Sequence, residues 1–247
     1  MSAAPPRHPS IGVALTDVPP VRHPLGLVDV DDIGEPLNRP RARGWIHLVS
    51  TAVAAVAGSA LLWAAWLVGA RAGWAILVYV IGVIGMFGIS AAYHRVQWGS
   101  AGAEKWMRRL DHSAIFLFIA ATYTPFAVLA MPPDVGARVL GIVWLGASAG
   151  VAVKMLWPHA PRWVGVPLYL LLGYVAVWFT ETLLAGAGVT VVALLVAGAV
   201  LYSIGAVFYG ARWPNPWPTT FGHHEFFHAC VAAAATCHFV AIWLVVH

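Results

Sequence analysis

The chain has 247 residues, of which 60% are hydrophobic and only 10% charged, with a formal net charge of +4 and a mean hydropathy of +0.77. A water-solvated globular surface needs roughly 25% charged residues, so this composition excludes an ordinary soluble domain and points to lipid as the solvent, where about 20 mostly apolar residues make one crossing. A charge of this size gives no footing for nucleic-acid binding, and Cys230 and Cys237 would stand ~10 Å apart along one helix, too far for a disulfide.

In chain order, residues 1–44 open with "MSAAPPRHPS", which lacks the apolar core of a signal peptide. The stretch stays polar and Pro-rich and holds Asp17, Asp29, Asp31, Asp32 and Glu35 without hydrophobic periodicity. It is predicted to be a disordered cytoplasmic tail. Residues 45–247 are predicted to form one all-α integral membrane domain, a seven-transmembrane-helix bundle. The predicted spans lie near 46–69, 73–94, 111–130, 138–156, 163–183, 189–210 and 222–246. Pro125 in "TYTPF" should kink the third span unless neighbours satisfy the carbonyl it frees. The stretch "RWPNPWP" before the last span reads as a rigid connector, with a lid as the alternative.

Lysines and arginines give the orientation. Arg39, Arg41 and Arg43 precede the first span, and Arg95, Lys105, Arg108 and Arg109 lie between the second and third. Lys154 and Arg162 flank the next connection on that side, and Arg212 precedes the last span; the opposite connections offer only Arg71 and Arg138. The positive-inside rule then puts the N-terminus in the cytoplasm and, with an odd number of spans, the C-terminus outside. The expected location is the inner (plasma) membrane, as a multi-pass protein.

Ionisable residues in membrane spans are rare and mostly functional, and here they converge. His94 ends the second predicted span, Asp111 and His112 begin the third, and His224, Glu225 and His228 begin the seventh, all at the cytoplasmic end. His224 and His228 are four apart, so their side chains share one helical face. That spacing is half of a zinc site, and a third histidine with an open position makes a catalytic one. His94 is the expected third ligand. Ser90, one turn earlier on the same face, could reach a bound water or a neighbouring ligand, and Asp111 could hold that water or take its proton. Zinc brings the pKa of a coordinated water to about 7. His238 lies roughly 15 Å beyond His228 along the helix and reads as a buried histidine bonded to a neighbouring span. His223 and His112 each sit off the face of the favoured residue and read as interfacial or adjacent to the site.

Singly, His94 is an ordinary interfacial residue, Asp111 a juxtamembrane partner for Arg108 or Arg109, and Ser90 a serine bonding within its own helix; the combination with His-x-x-x-His is what favours a metal. "HEFFH" at 224–228 also fits H-E-x-x-H, the zincin pattern in which the glutamate is the general base. An intramembrane metalloprotease is therefore a rival reading.

Three blocks, "SAAYHRVQW" at 90–98, "LDHSAIFLFIAATYTPF" at 110–126 and "HHEFFHACVAAAATCHFVAI" at 223–242, together resemble the hemolysin III family, the bacterial branch of the progestin and adipoQ receptor superfamily. The resemblance spans all seven predicted helices and excludes the tail. It implies a seven-helix membrane protein with a cytoplasmic N-terminus. It also implies a Zn2+ near the cytoplasmic face, held by residues matching His94, His224 and His228, with a water held by the residue matching Asp111. Ser90 matches the serine of the family's second-helix S-x-x-x-H pattern, and His238 matches a later histidine outside the metal shell. The residue after the first histidine of the pair can be glutamine in this superfamily, which weighs against Glu225 as an obligatory base. The first span, "RGWIHLVSTAVA", matches only loosely, so His47 receives no role.

The function this implies is a zinc-dependent hydrolase of lipid amides, ceramidase-like, involved in membrane lipid homeostasis, with membrane lipids and possible lipid-amide or free fatty-acid ligands as partners. Asp111 and Ser90 are its expected catalytic residues. The alternatives are a non-enzymatic membrane receptor or regulator with structural zinc, a cytolytic pore-former, and the H-E-x-x-H protease. The pore-former is the weakest, because no set of polar-striped helices is present to line a channel.

Overall fold

A computed structural model describes residues 40–157 and 160–247. The predicted tail lies outside the described residues apart from residues 40–44. Among the described residues the regular structure is helical, apart from one isolated bridge between Trp217 and Phe221. The helices are α1 (Trp45–Val68), α2 (Ala70–Arg95), α3 (Ala101–Leu129), α4 (Pro133–Leu156), α5 (Arg162–Gly173), α6 (Thr180–Ala211) and α7 (His223–Val246), with a 3-10 turn over Tyr174–Phe179 between α5 and α6. Six helical segments are long and apolar enough to cross a membrane. With large apolar side chains such as Trp63, Leu67, Trp74 and Trp178 facing outward, the chain is a multi-pass membrane protein.

Two elements depart from the hydropathy reading. Helix α3 starts at Ala101, ten residues before the predicted span, so Asp111 and His112 sit inside it rather than at its start. Ser100 caps its N-terminus, accepting the Ala103 amide at 3.2 Å. The added turns carry Glu104, Lys105, Arg108 and Arg109, a helix that hydropathy cannot register. The helix also runs on through Pro125. Around it the Thr122 and Thr124 hydroxyls donate to the Phe118 and Ala120 carbonyls at 2.8 and 3.0 Å, local bonds of the kind that let membrane helices tolerate proline.

The second departure is the fifth predicted span. It is helical only to Gly173, tightens into the 3-10 turn, and resumes as α6. Tyr123 of α3 holds the irregular stretch, donating to the Gly173 carbonyl at 2.5 Å and accepting the Ala176 amide at 2.8 Å. The apolar segment Trp163–Ala211 is 49 residues long, about 73 Å if straight, far more than a bilayer core of about 30 Å. It is not straight. Gly188 has φ 82° and ψ 170°, a backbone open to glycine and strained for other residues. The Tyr174 and Ser203 hydroxyls, on either side of it, are 2.7 Å apart, so the chain doubles back there.

The two ends of the bundle differ in charge. At one end, Arg95 lies over the Trp45 ring, 4.1 Å from its centroid, and the Arg41 and Ala42 amides donate to the Thr219 and Thr220 carbonyls at 3.0 and 3.1 Å. The start of α1, the end of α2 and Thr219–Thr220, the two residues that follow the "RWPNPWP" stretch, therefore meet. At the opposite end Arg71 donates to the Val128 carbonyl at 2.6 Å.

Candidate metal centre

Helix α7 has a simple inner face. His224, His228, Val231, Ala235, Ile242 and Val246 are all buried, and their spacing follows successive helical turns. Helix α1 buries a narrow stripe of His47, Gly58, Leu61 and Ala65. Helix α2 brings Ser90 and His94 inward one turn apart, both buried, and α3 brings Asp111.

These four helices place the candidate residues around one point. One ring nitrogen from each of His94, His224 and His228 lies within 4.8 Å of the others, and all three residues are buried. Nε2 of His94 and Nε2 of His224 are 3.3 Å apart. Two nitrogens each ~2.0–2.1 Å from a tetrahedral zinc stand about 3.3–3.4 Å apart, so the donor type and number, and the spacing of the His94–His224 pair, fit such an ion. Asp111 Oδ2 is 3.9 Å from His94 Nε2, beyond a direct hydrogen bond. Ser90 and Asp111 line the same cavity as His224 and His228.

Gly44 makes the approach of α1 possible. Its φ of 78° is left-handed, and a Cβ there would come within 2.8 Å of the His94 Cβ. Any larger residue would therefore strain the backbone and crowd the His94 side chain.

Two residues acquire roles that sequence alone did not assign. His47 is 2% exposed and stacks on His228, with centroids 3.7 Å apart and planes inclined by 17°. The one available signal was spacing: His47 falls four residues after Arg43 and on the stripe that α1 buries. Arg43, counted above only as a topology-setting charge, is 4% exposed. Its Nε donates to Glu225 Oε1 at 2.5 Å, while Glu225 Oε2 accepts the Gly222 amide at 2.8 Å. Glu225, 1% exposed, thus joins α7 to the start of α1 and satisfies a free amide at its own helix N-terminus.

The other histidines are arranged as follows. The carbonyl of His112 accepts from the Tyr169 hydroxyl at 3.2 Å. His223 lies at the first position of α7, its ring 6.4 Å from that of His224. His238 Nε2 reaches the Leu195 carbonyl of α6 at 3.4 Å.

A cavity of about 160 Å³ opens from the histidine cluster into the bundle. Its lining begins at His224, Asp111 and Tyr209 and reaches Tyr123, Tyr202 and His238. From His224 to His238 is about 21 Å along α7. Between the two ends the walls are mainly apolar, with Met86, Ile115, Phe118 and Val231 among them.

The fold and cluster define a class, helical membrane proteins with a buried three-histidine site that can hold a metal ion. The family profile described as "Haemolysin-III related" matches residues 36–239, and the chain belongs to that family, within the progestin and adipoQ receptor superfamily. It is 32% identical to Hemolysin-3 of Bacillus cereus over 138 residues, covering 55% of this chain and 61% of that protein. It is 30% identical to the heptahelical transmembrane protein ADIPOR2 of Oryza sativa subsp. japonica over 186 residues, covering 68% and 80%. It is 26% identical to the human monocyte to macrophage differentiation factor over 169 residues, covering 67% and 68%. The match to the Bacillus cereus protein thus spans about three fifths of that relative's length.

Proposed function

We propose that the protein is a zinc-dependent hydrolase of long-chain lipid amides, with His94, His224 and His228 as the metal ligands. The observation that carries the proposal is the 3.3 Å separation of the His94 and His224 ring nitrogens beside an apolar cavity that His224 lines. When bound, zinc supplies a Lewis acid that polarises a carbonyl oxygen and lowers the pKa of a coordinated water. The cavity walls hold the acyl chain and exclude bulk water, which sets the amide at the histidines. Asp111 takes a proton from the attacking water and returns it to the leaving nitrogen, so amide and water give fatty acid and amine. Ser90, in the same wall, donates a hydrogen bond that orients the water or the amide.

Glu225 is poorly placed for the protease alternative. Both of its oxygens are engaged, by Arg43 and by the Gly222 amide, whereas a general base needs a free oxygen turned to the reacting water.

We also assign seven crossings, with Trp163–Ala211 crossing twice about the reversal at Gly188. The histidine cluster then lies near the cytoplasmic face, residues 1–44 in the cytoplasm and His247 outside. The clustering of Arg41, Arg95, Lys105 and Arg109 at the histidine end supports this orientation, in a bacterial inner or plasma membrane.

The direct test is turnover. Full-length protein, purified and reconstituted in nanodiscs with zinc, should release fatty acid from a long-chain ceramide or another N-acyl amide, and should stop when a chelator strips the metal. Absence of release across a panel of long-chain amides by zinc-loaded protein would overturn the enzyme reading.

A further inference from the structure

The far end of the cavity is more polar than an acyl chain requires. His238 Nε2 faces the Leu195 carbonyl at 3.4 Å. A carbonyl only accepts, so Nε2 carries the ring proton and Nδ1 is left as an acceptor. That Nδ1 is buried with no hydrogen-bond partner, and so is the hydroxyl of Tyr202. The two rings meet edge to face with centroids 5.5 Å apart, and both residues line the cavity. Gly198 makes the arrangement possible, since a Cβ there would collide with the His238 ring. His238 is roughly 15 Å beyond His228 along α7, deep in the membrane-spanning part of the bundle, where unpaired polar groups are expensive.

An unpartnered acceptor and an unpartnered hydroxyl on two residues that line one cavity match a ligand group that both donates and accepts. A hydroxyl is the smallest such group, donating to His238 Nδ1 while accepting from Tyr202 Oη. We infer that the deep end of the cavity is a hydroxyl subsite, and that the ligand is a long-chain lipid with a hydroxyl partway along its acyl chain, about 15 Å from the head bound at the histidines. The inference rests on the reading that the cavity takes a lipid chain, and it requires neither bound metal nor hydrolysis.

The test is equilibrium binding to full-length protein in nanodiscs, by displacement of a fluorescent fatty acid, comparing stearate with hydroxystearates whose hydroxyl is moved along the chain. One mid-chain isomer should bind about tenfold more tightly than stearate, the size of one buried hydrogen bond. In Tyr202→Phe and in His238→Leu that preference should fall to near unity, with zinc content unchanged. Tyr202→Phe removes one oxygen and keeps the ring packing, so it reads the subsite even where His238→Leu fails to fold. Equal binding of all isomers by the wild type would mean that only water occupies the subsite and would overturn the inference, as would a preference that survives Tyr202→Phe. Binding of none of the fatty acids would overturn the lipid reading of the cavity together with the inference, while fatty-acid release from amides tests the hydrolase reading separately.

Discussion

Asp111→Asn is expected to retain zinc at the wild-type level and to lower amide hydrolysis by about 10²–10⁴-fold, the usual contribution of a positioned acid–base group. The side chain keeps its size and can still hold a water, but the amide cannot take a proton. Because Asp111 Oδ2 stands 3.9 Å from His94 Nε2, outside the three-histidine group, its loss should spare the metal. Zinc content and fatty-acid release measured on the same preparation separate the two effects. Loss of metal in Asp111→Asn would make the aspartate a ligand or a support for one, and unchanged turnover would remove it from the chemistry.

The second large effect concerns stability. Arg43→Met removes the guanidinium that Glu225 Oε1 meets, leaving a carboxylate that is 1% exposed without that cation. Breaking a buried pair from one side costs about 3–5 kcal/mol, and guanidinium unfolding in mixed micelles should show a loss of this size. The double variant Arg43→Met/Glu225→Gln should recover more than half of it, because no unpaired charge is then buried and the glutamine carbonyl can still accept the Gly222 amide. Glu225→Gln alone should lower stability yet leave turnover per folded molecule nearly unchanged. Abolished turnover in a folded Glu225→Gln protein would instead revive the H-E-x-x-H reading.

Much of this arrangement could be read from residue order. The predicted boundaries of the first, second and last spans fall within three residues of α1, α2 and α7, because lipid-facing length is a composition signal. His94, Asp111, His224 and His228 stood out as ionisable groups in apolar surroundings, and the structure brings them close together. What hydropathy missed has physical causes. The first ten residues of α3 are helical but charged, so they carry no apolar run. The 3-10 turn at Tyr174–Phe179 depends on the Tyr123 hydroxyl, which arrives from a helix about fifty residues away in sequence. Arg43 and His47 act through α7, and the pairing of α1 with α7 joins the two ends of the bundle's sequence. No local periodicity encodes that pairing.

The claim beneath the rest is that imidazoles from α2 and α7 share one metal ion. Metal analysis of the purified full-length protein, wild type beside His228→Ala, tests it most directly. The account predicts about one zinc per chain in the wild type, the number one three-histidine site can hold, and close to none in His228→Ala with helical content retained by circular dichroism. A wild-type protein that carries no zinc after exposure to it, or a His228→Ala variant that keeps the full complement, would contradict the account.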